Sequence, residues 1–325
     1  MIHPIWKDYF ADLLTSVDTD FIIDMETGQD RQTIYSGRAV MRPSEDSLYV
    51  KMNDICADYV GHSPIPARAG LSRFITLPIF RTYVNGNSTD SVQFYPDWSY
   101  DESFNPYDRG LSVPVLSRID RRQPLLFTAI TDQVIVTGID VDGNTQNLYW
   151  GGGDDIYMIT LFVDLGEFTQ LGKIEKIQIT GGGYDMDYNI VDTCARYALC
   201  YVNAHGGWDS LLIEGNHSEV DNITRHTMDV VYENISVINR GKKNFVNEIS
   251  KSMTLHTSWM SDDESSRMHH LLNSPDVYLY DMESEKMIPV LLKNPTTEYK
   301  TYKGNGGKLV NYAIEVEFAN DRIRR

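Results

Sequence analysis

The residue types that could do chemistry are scattered, and their spacings decide what each could do. The chain holds eight histidines. His269 and His270 are neighbours in a helical pattern, so their side chains diverge by about 100° and do not readily share a metal; a solvent-facing helix edge is expected for both. His205 and Asp209 straddle a turn and could approach across it as a general base and its orienting carboxylate. No serine, cysteine or threonine is placed by spacing as their nucleophile. Cys56, Cys194 and Cys200 match neither a disulfide framework nor a zinc pattern. On one strand, Cys194 and Cys200 would stand roughly 20 Å apart. All three are expected to be buried thiols.

The glycine-rich and acidic segments fail the tests for ion and phosphate binding. The run that begins at Asp140 starts like a calcium loop, but its glycine is fourth, its sixth residue is Thr145 and its twelfth is Gly151. A calcium loop needs glycine at the sixth position and a bidentate glutamate at the twelfth, so an Asp-Gly hairpin turn is expected here. Gly151-Gly152-Gly153 and Gly181-Gly182-Gly183 are followed by acidic residues that would repel phosphate. No HExxH, GxSxG or Walker lysine occurs. The expectation is therefore no catalytic residue, no cofactor and no metal.

The central stretch, residues 195–216, organises the rest. Tyr197, Leu199 and Tyr201 alternate with Ala198, Cys200 and Val202, the two-residue period of a strand. Gly206 and Gly207 supply the reversal, and Trp208 opens a returning strand that ends at Ile213. Tyr197, Tyr201, Gly206, Gly207 and Trp208 are expected to be structural anchors.

A chain of 325 residues is long enough for two cores. The expected division is an N-terminal β-sandwich-like domain over 1–187 and a C-terminal β domain over 188–325. Apolar content of 42% with 23% charged residues is that of a folded chain and excludes a disordered one. Twenty Tyr and five Trp favour a mainly β class. The formal charge of −17 would repel a phosphate backbone, so no specific nucleic acid is expected as a partner. The first residues lack a signal-peptide pattern and no window holds 18 uninterrupted apolar residues, so cytosolic synthesis without membrane insertion is expected.

Strands are expected over 21–25, 32–41 and 48–55 as a three-strand meander, the third passing into a short helix over 54–60 on the spacing of Ile55, Tyr59 and Val60. A hairpin follows over 73–84 and 91–100 around Asn85-Gly86-Asn87, then a long loop over 101–114. Further strands are expected at 125–131, 133–140, 146–150, 156–163 and 174–180. Beyond the central hairpin come strands at 222–232 and 234–238, a basic turn at 241–244 and an extended run at 250–259. Ser261 and Glu264 form a capping box for a helix over 261–273, with Met268, Leu271 and Leu272 as its buried stripe. Strands over 277–281, 287–292 and 308–318 complete the chain, with a further short strand over 298–302.

With these segments in place a resemblance emerges. Arg196-Tyr197-Ala198-Leu199-Cys200-Tyr201-Val202-Asn203-Ala204-His205-Gly206-Gly207-Trp208-Asp209-Ser210, followed by the run from Leu271 to Asp281, resembles virion proteins of phages and prophages of Bacteroidales gut bacteria. The run from Thr33 to Ala39 and on through Asn53-Asp54-Ile55-Cys56 is similar to their N-terminal region. The resemblance implies a non-enzymatic structural part of the tail, neck or baseplate, located in the virion and made in the host cytoplasm. Its implied partners are copies of itself in a ring and other tail or neck proteins. The C-terminal order of elements is similar to phage tail-tube and tail-hub domains. An acidic lumen in such a ring would keep DNA from adhering.

Ring closure needs heterologous contacts, for which long loops and sheet edges serve. The loop at 101–114, with Asn105 and Tyr107, and the basic tail, with Arg322, Arg324 and Arg325, are the expected contacts; a frayed terminus is the competing expectation for the tail. Two other functions stay open. One is a glycan-binding module using Trp98, Trp150 or Trp208, and the other is a polysaccharide or peptidoglycan hydrolase with paired carboxylates.

Overall fold

The structure is a computed structural model. It describes residues 2–5, 7, 9–12, 18–27, 30–40, 49–62, 64–66, 70, 72–75, 77–84, 87–99, 101, 105, 110–151, 157–181, 184–229, 242–293, 309–319 and 322–324.

In chain order the first elements are β1 (Ile2–Pro4), β2 (Phe10–Asp12), β3 (Asp18–Thr27), β4 (Asp30–Val40), β5 (Tyr49–Lys51), α1 (Met52–Cys56), β6 (Ser72–Ile75), β7 (Ile79–Val84) and β8 (Asn87–Tyr95). The middle of the chain holds β9 (Arg118–Asp120), β10 (Leu125–Thr131), β11 (Gln133–Asp140), β12 (Thr145–Gly151), β13 (Tyr157–Val163), β14 (Ile174–Gly181) and β15 (Tyr184–Val191). Last come β16 (Tyr197–Val202), β17 (Trp208–Ile213), β18 (His217–Asp229), β19 (Lys242–His256), α2 (Asp262–Leu272), β20 (Val277–Asp281), β21 (Lys286–Leu292), β22 (Ala313–Phe318) and β23 (Arg322–Arg324). The protein is mainly β and is built as several sheets.

The chain forms two interleaved compact units. The first comprises residues 1–118, 124–190 and 202–209; the second comprises 119–123, 191–201 and 210–325.

In the first unit one sheet runs β1-β8-β7-β3-β4. The expected meander is corrected here. β3 pairs with β4, but its other neighbour is β7, and β5 pairs instead with β2. The third run is short because the chain turns helical at Met52, and Met52 and Cys56 enter the core beside Phe21, Ile23, Phe80 and Phe94. β7 and β8 pair with Val84 opposite Asn87, while the strand expected from residue 73 divides into β6, which pairs with β13, and β7. In the β10-β13-β6 sheet β13 is central, and every residue of the neighbouring β10 is buried. Such continuous burial marks a strand covered on both faces. In β11 every second residue is buried, the pattern of a strand covered on one face.

In the second unit the sheet runs β17-β16-β20-β21-β22-β19-β18, with β23 also paired to β19. The capping box is present, with the Ser261 hydroxyl accepting from the Glu264 amide and the Glu264 carboxylate accepting from the Ser261 amide. The buried stripe of α2 is Ser265, Met268, His270 and Leu271. Leu272 is half-buried, and His270 lies inside instead of at a solvent edge, its ring 3.9 Å from that of His269. Ser265 is drawn in by a 2.6 Å hydrogen bond to the Tyr312 hydroxyl.

The basic turn expected at 241–244 is another correction. Lys242, Lys243 and Asn244 already belong to β19, opposite Asp229, Met228 and Thr227. Two opposed strands of 13 and 15 residues result. The short strand expected at 298–302 lies outside the described residues.

Candidate functional site

The candidate with most chemistry is the turn between β16 and β17, residues 203–209, in the first unit. Asn203 builds it. Its carbonyl oxygen Oδ1 accepts from the amides of His205 and Gly207 at 2.9 and 3.1 Å. Its Nδ2 donates to Leu111 O and to Asp209 Oδ2, both at 2.7 Å. All four hydrogen-bonding positions of this carboxamide are thus used, an asparagine-led turn held from inside. Gly206 sits at φ 81°, and a Cβ there would meet Pro96 O at 2.1 Å. At Gly207 a Cβ would meet Leu111 O at 2.5 Å. Only residues without a side chain let these backbones approach so closely.

The hydroxyls around the turn are committed. Ser112 Oγ donates to Trp208 O at 2.9 Å and accepts from the Thr128 amide at 2.8 Å. Thr128 Oγ1 accepts from the Trp208 amide at 3.0 Å and lies 3.1 Å from Thr160 Oγ1. Ser112 thus reaches the turn from a distant part of the chain, but its proton is engaged by a backbone carbonyl and its side chain is buried.

The pairing of His205 differs from expectation. Its Nδ1 lies 3.4 Å from Asp97 Oδ1, while Asp209 turns to Asn203 and to the Val113 amide. Burial works against ionisation of Asp97, but hydrogen bonds from His205 and Ser99 outweigh it and hold the carboxyl below its ordinary value. Burial dominates at Asp209 and pushes its carboxyl up to about 7, against hydrogen bonds from Asn203 and Val113. Burial and the nearby Asp209 charge together raise the Tyr188 hydroxyl. Asp97, Asp209, His205 and Trp208 are all at most 5% exposed. The arrangement can hold a turn and store a proton, but a substrate of any size has no surface of it to touch.

Scanned against models of protein families and against the sequences of curated proteins, the chain matches neither.

The remaining expected residues divide between core and surface. Tyr197 and Tyr201 are buried, and so is every other residue of β16. Cys56 and Cys200 are buried, and burial pushes the Cys56 thiol up to about 12. Cys194 is exposed, because it stands in the connection ahead of β16 instead of on the strand. The Asp140 carboxylate accepts from the amides of Asp142, Asn144 and Gly172, which makes the calcium-like run a self-satisfied turn. Among the described residues no group of three His, Cys, Asp or Glu could hold a metal ion. Among them, too, no helix is long and apolar enough to cross a membrane.

Of the expected assembly contacts, Asn105 is exposed, and Tyr107 and Arg325 lie outside the described residues. Arg322 and Arg324 lie on β23, whose backbone pairs with Ile249 and Asn247 of β19, so the tail is zipped to the sheet up to residue 324. Sequence reasoning missed the outer edge of the second unit. Twelve of the 13 residues of β18 are exposed, and no described strand pairs with its outer side. Val220 and Ile223 are about half exposed, at 49% and 51%. The available signal was that Val220 and Ile223 stand three apart among polar residues in 217–229, which leaves no apolar face to bury.

Proposed function

We propose that the chain is a non-enzymatic structural component of a phage virion, a ring-forming part of the tail, neck or baseplate. The observation that carries this reading is β18, a 13-residue strand that ends a sheet and lies in solvent along both faces. Proteins ordinarily blunt such an edge, because its free N–H and C=O groups template pairing with another chain. An edge this long is material for a permanent contact between copies.

A heterologous contact needs a second, different surface on the same chain. β4 is the counterpart we favour, an 11-residue strand at the end of the first unit's sheet. The two edges differ in charge. β18 carries Glu219, Asp221 and Asp229 against Arg225, whereas β4 carries Arg31 and Arg38 against Asp30. Pairing β18 of one copy with β4 of the next would join an acidic strand to a basic one in a chain whose net charge otherwise drives copies apart. The likeness to tail-tube and tail-hub domains belongs to the same proposal, as do the virion location and the neighbouring tail or neck proteins. The buried polar turn supports the non-enzymatic part of the reading, since Asn203 and Ser112 are engaged in holding it and its His and Asp side chains are buried.

Electron microscopy of the purified chain at low salt tests the proposal. Closed rings of uniform copy number are expected. A uniform population of single copies would overturn it.

A further inference from the structure

The second unit carries a cavity that the assembly reading does not use. Three backbone segments meet there, and each is fixed to the next. Gly215 N donates to His256 O at 3.0 Å and His256 N donates to Asn216 O at 3.1 Å. Thr257 N donates to Tyr312 O at 2.9 Å, and Tyr312 N donates to Thr257 Oγ1 at 2.9 Å. Met260 and Val310 exchange a pair of backbone hydrogen bonds at 2.8 and 2.9 Å. At Gly215 a Cβ would stand 2.5 Å from His256 O, so a side chain there would push two of the segments apart.

Between them lies an open cavity of about 480 Å³, lined by Glu214, Asn216, His256, Ser258, Trp259 and Asn311 among others. That size falls within the roughly 300–1,000 Å³ of small-molecule sites. Trp259 is 61% exposed, although its neighbour Met260 is fully buried and fixes the backbone beneath it. The chain therefore holds a large indole in water beside a cavity, on a rigid support.

We propose that this cavity binds a neutral sugar unit of a glycan. A pyranose has an apolar C–H face that packs on an aromatic ring and a rim of hydroxyls that both donate and accept. Trp259 offers the ring, and its amphipathic indole suits a surface that is apolar on one side and wet on the other. Two carboxamides, a carboxylate, an imidazole and a hydroxyl surround it, and together they donate and accept as a hydroxyl rim requires. Among the described residues no lysine or arginine lines the cavity and Glu214 does, which disfavours phosphate, sulfate and acidic sugars. A purely apolar ligand would suit the Trp259 ring but not the polar side chains of the lining. The aromatic residue is Trp259, not the Trp98, Trp150 or Trp208 expected from sequence; Trp208 is buried.

The inference is independent of ring assembly, because all of these residues belong to the second unit and a single copy suffices to bind. The test is an array of immobilised neutral oligosaccharides with N-acetylglucosamine, mannose or galactose termini, set against sialylated and sulfated ones. It is probed with the full chain and with Trp259→Ala, Trp259→Phe, Asn216→Ala and Trp98→Ala. Saturable binding to at least one neutral class is expected, weakened at least about tenfold in Trp259→Ala and Asn216→Ala. Trp259→Phe should fall between those variants and the parent chain, and Trp98→Ala should bind as the parent does. No neutral glycan bound by the parent chain would overturn the proposal. So would undiminished binding by Trp259→Ala, loss only in Trp98→Ala, or a preference for the anionic glycans. Equal melting temperatures of parent and variants show that a loss belongs to the site and not to the fold.

Discussion

Two strand pairs of this chain, β16–β17 and β18–β19, end in opposite states. In the β16–β17 hairpin both strands are buried from end to end, and the turn uses all four positions of Asn203. In the β18–β19 pair the outer strand keeps twelve of its 13 residues exposed. The first has its polar groups fixed inside a core, where removing a partner is costly. The second spends little stability on itself and leaves its hydrogen-bonding edge unused. The difference teaches that a buried cluster of His, Asp, Ser and Asn holds a turn, while an exposed polar strand carries the proposed contact.

Breaking the first hairpin should have the largest effect. Trp208→Ala is expected to destabilise by about 3–5 kcal/mol in equilibrium denaturation, the usual loss for a buried large aromatic. A loss below about 1 kcal/mol would show that the ring is not packed.

Next comes a pH effect seated at Asp209. Its folded-state value of about 7 lies above the ordinary 3.8, so its contribution to stability is fully present below about pH 4 and is lost as pH rises through about 7. Asp209→Asn removes this titration while keeping an oxygen for the Asn203 and Val113 donors. The stability of the variant relative to the parent should therefore rise by roughly 3–4 kcal/mol between pH 4 and pH 8. The comparison of variant with parent removes the opposing contribution of Asp97, whose lowered value costs stability only on acidification. A difference that stays flat with pH would contradict the burial of a titrating carboxyl beside Tyr188.

Gly206→Ala should cost about 1–3 kcal/mol through its positive φ and the contact with Pro96 O. Thermal melting checks this, and an unchanged midpoint would mean that the turn gives way easily. Smallest of all is the expected effect on stability of Val220→Lys combined with Ile223→Lys. Exposed substitutions of this kind usually fall within about 0.5 kcal/mol.

The strands of the first unit were readable where local pattern and packing agree. The runs expected over 125–131 and 133–140 coincide with β10 and β11, since Asp132 separates two apolar stretches of strand length. The capping box of α2 was readable because both of its partners lie within one turn. The polar turn was only half readable. Gly206 and Gly207 announced a reversal, but Asp97 and Ser112 reach it from about a hundred residues away, and no local spacing encodes such a meeting. The start of β19 was hidden for another reason. Lys242 and Lys243 read as a basic turn, and only pairing with Asp229 and Met228 makes them strand. Edge status is likewise a property of the sheet, so residues 222–229 of β18 could be read as strand but not as a free edge.

Sedimentation of the parent chain and of the Val220→Lys, Ile223→Lys variant, each followed by thermal melting, tests the central claim most directly. The account predicts that the parent sediments as one discrete multi-copy species, and that the variant sediments as a single copy with an unchanged melting temperature. A variant that assembles as the parent does would contradict the assignment of β18 as the contact between copies, and a parent that stays single would contradict the assembly itself.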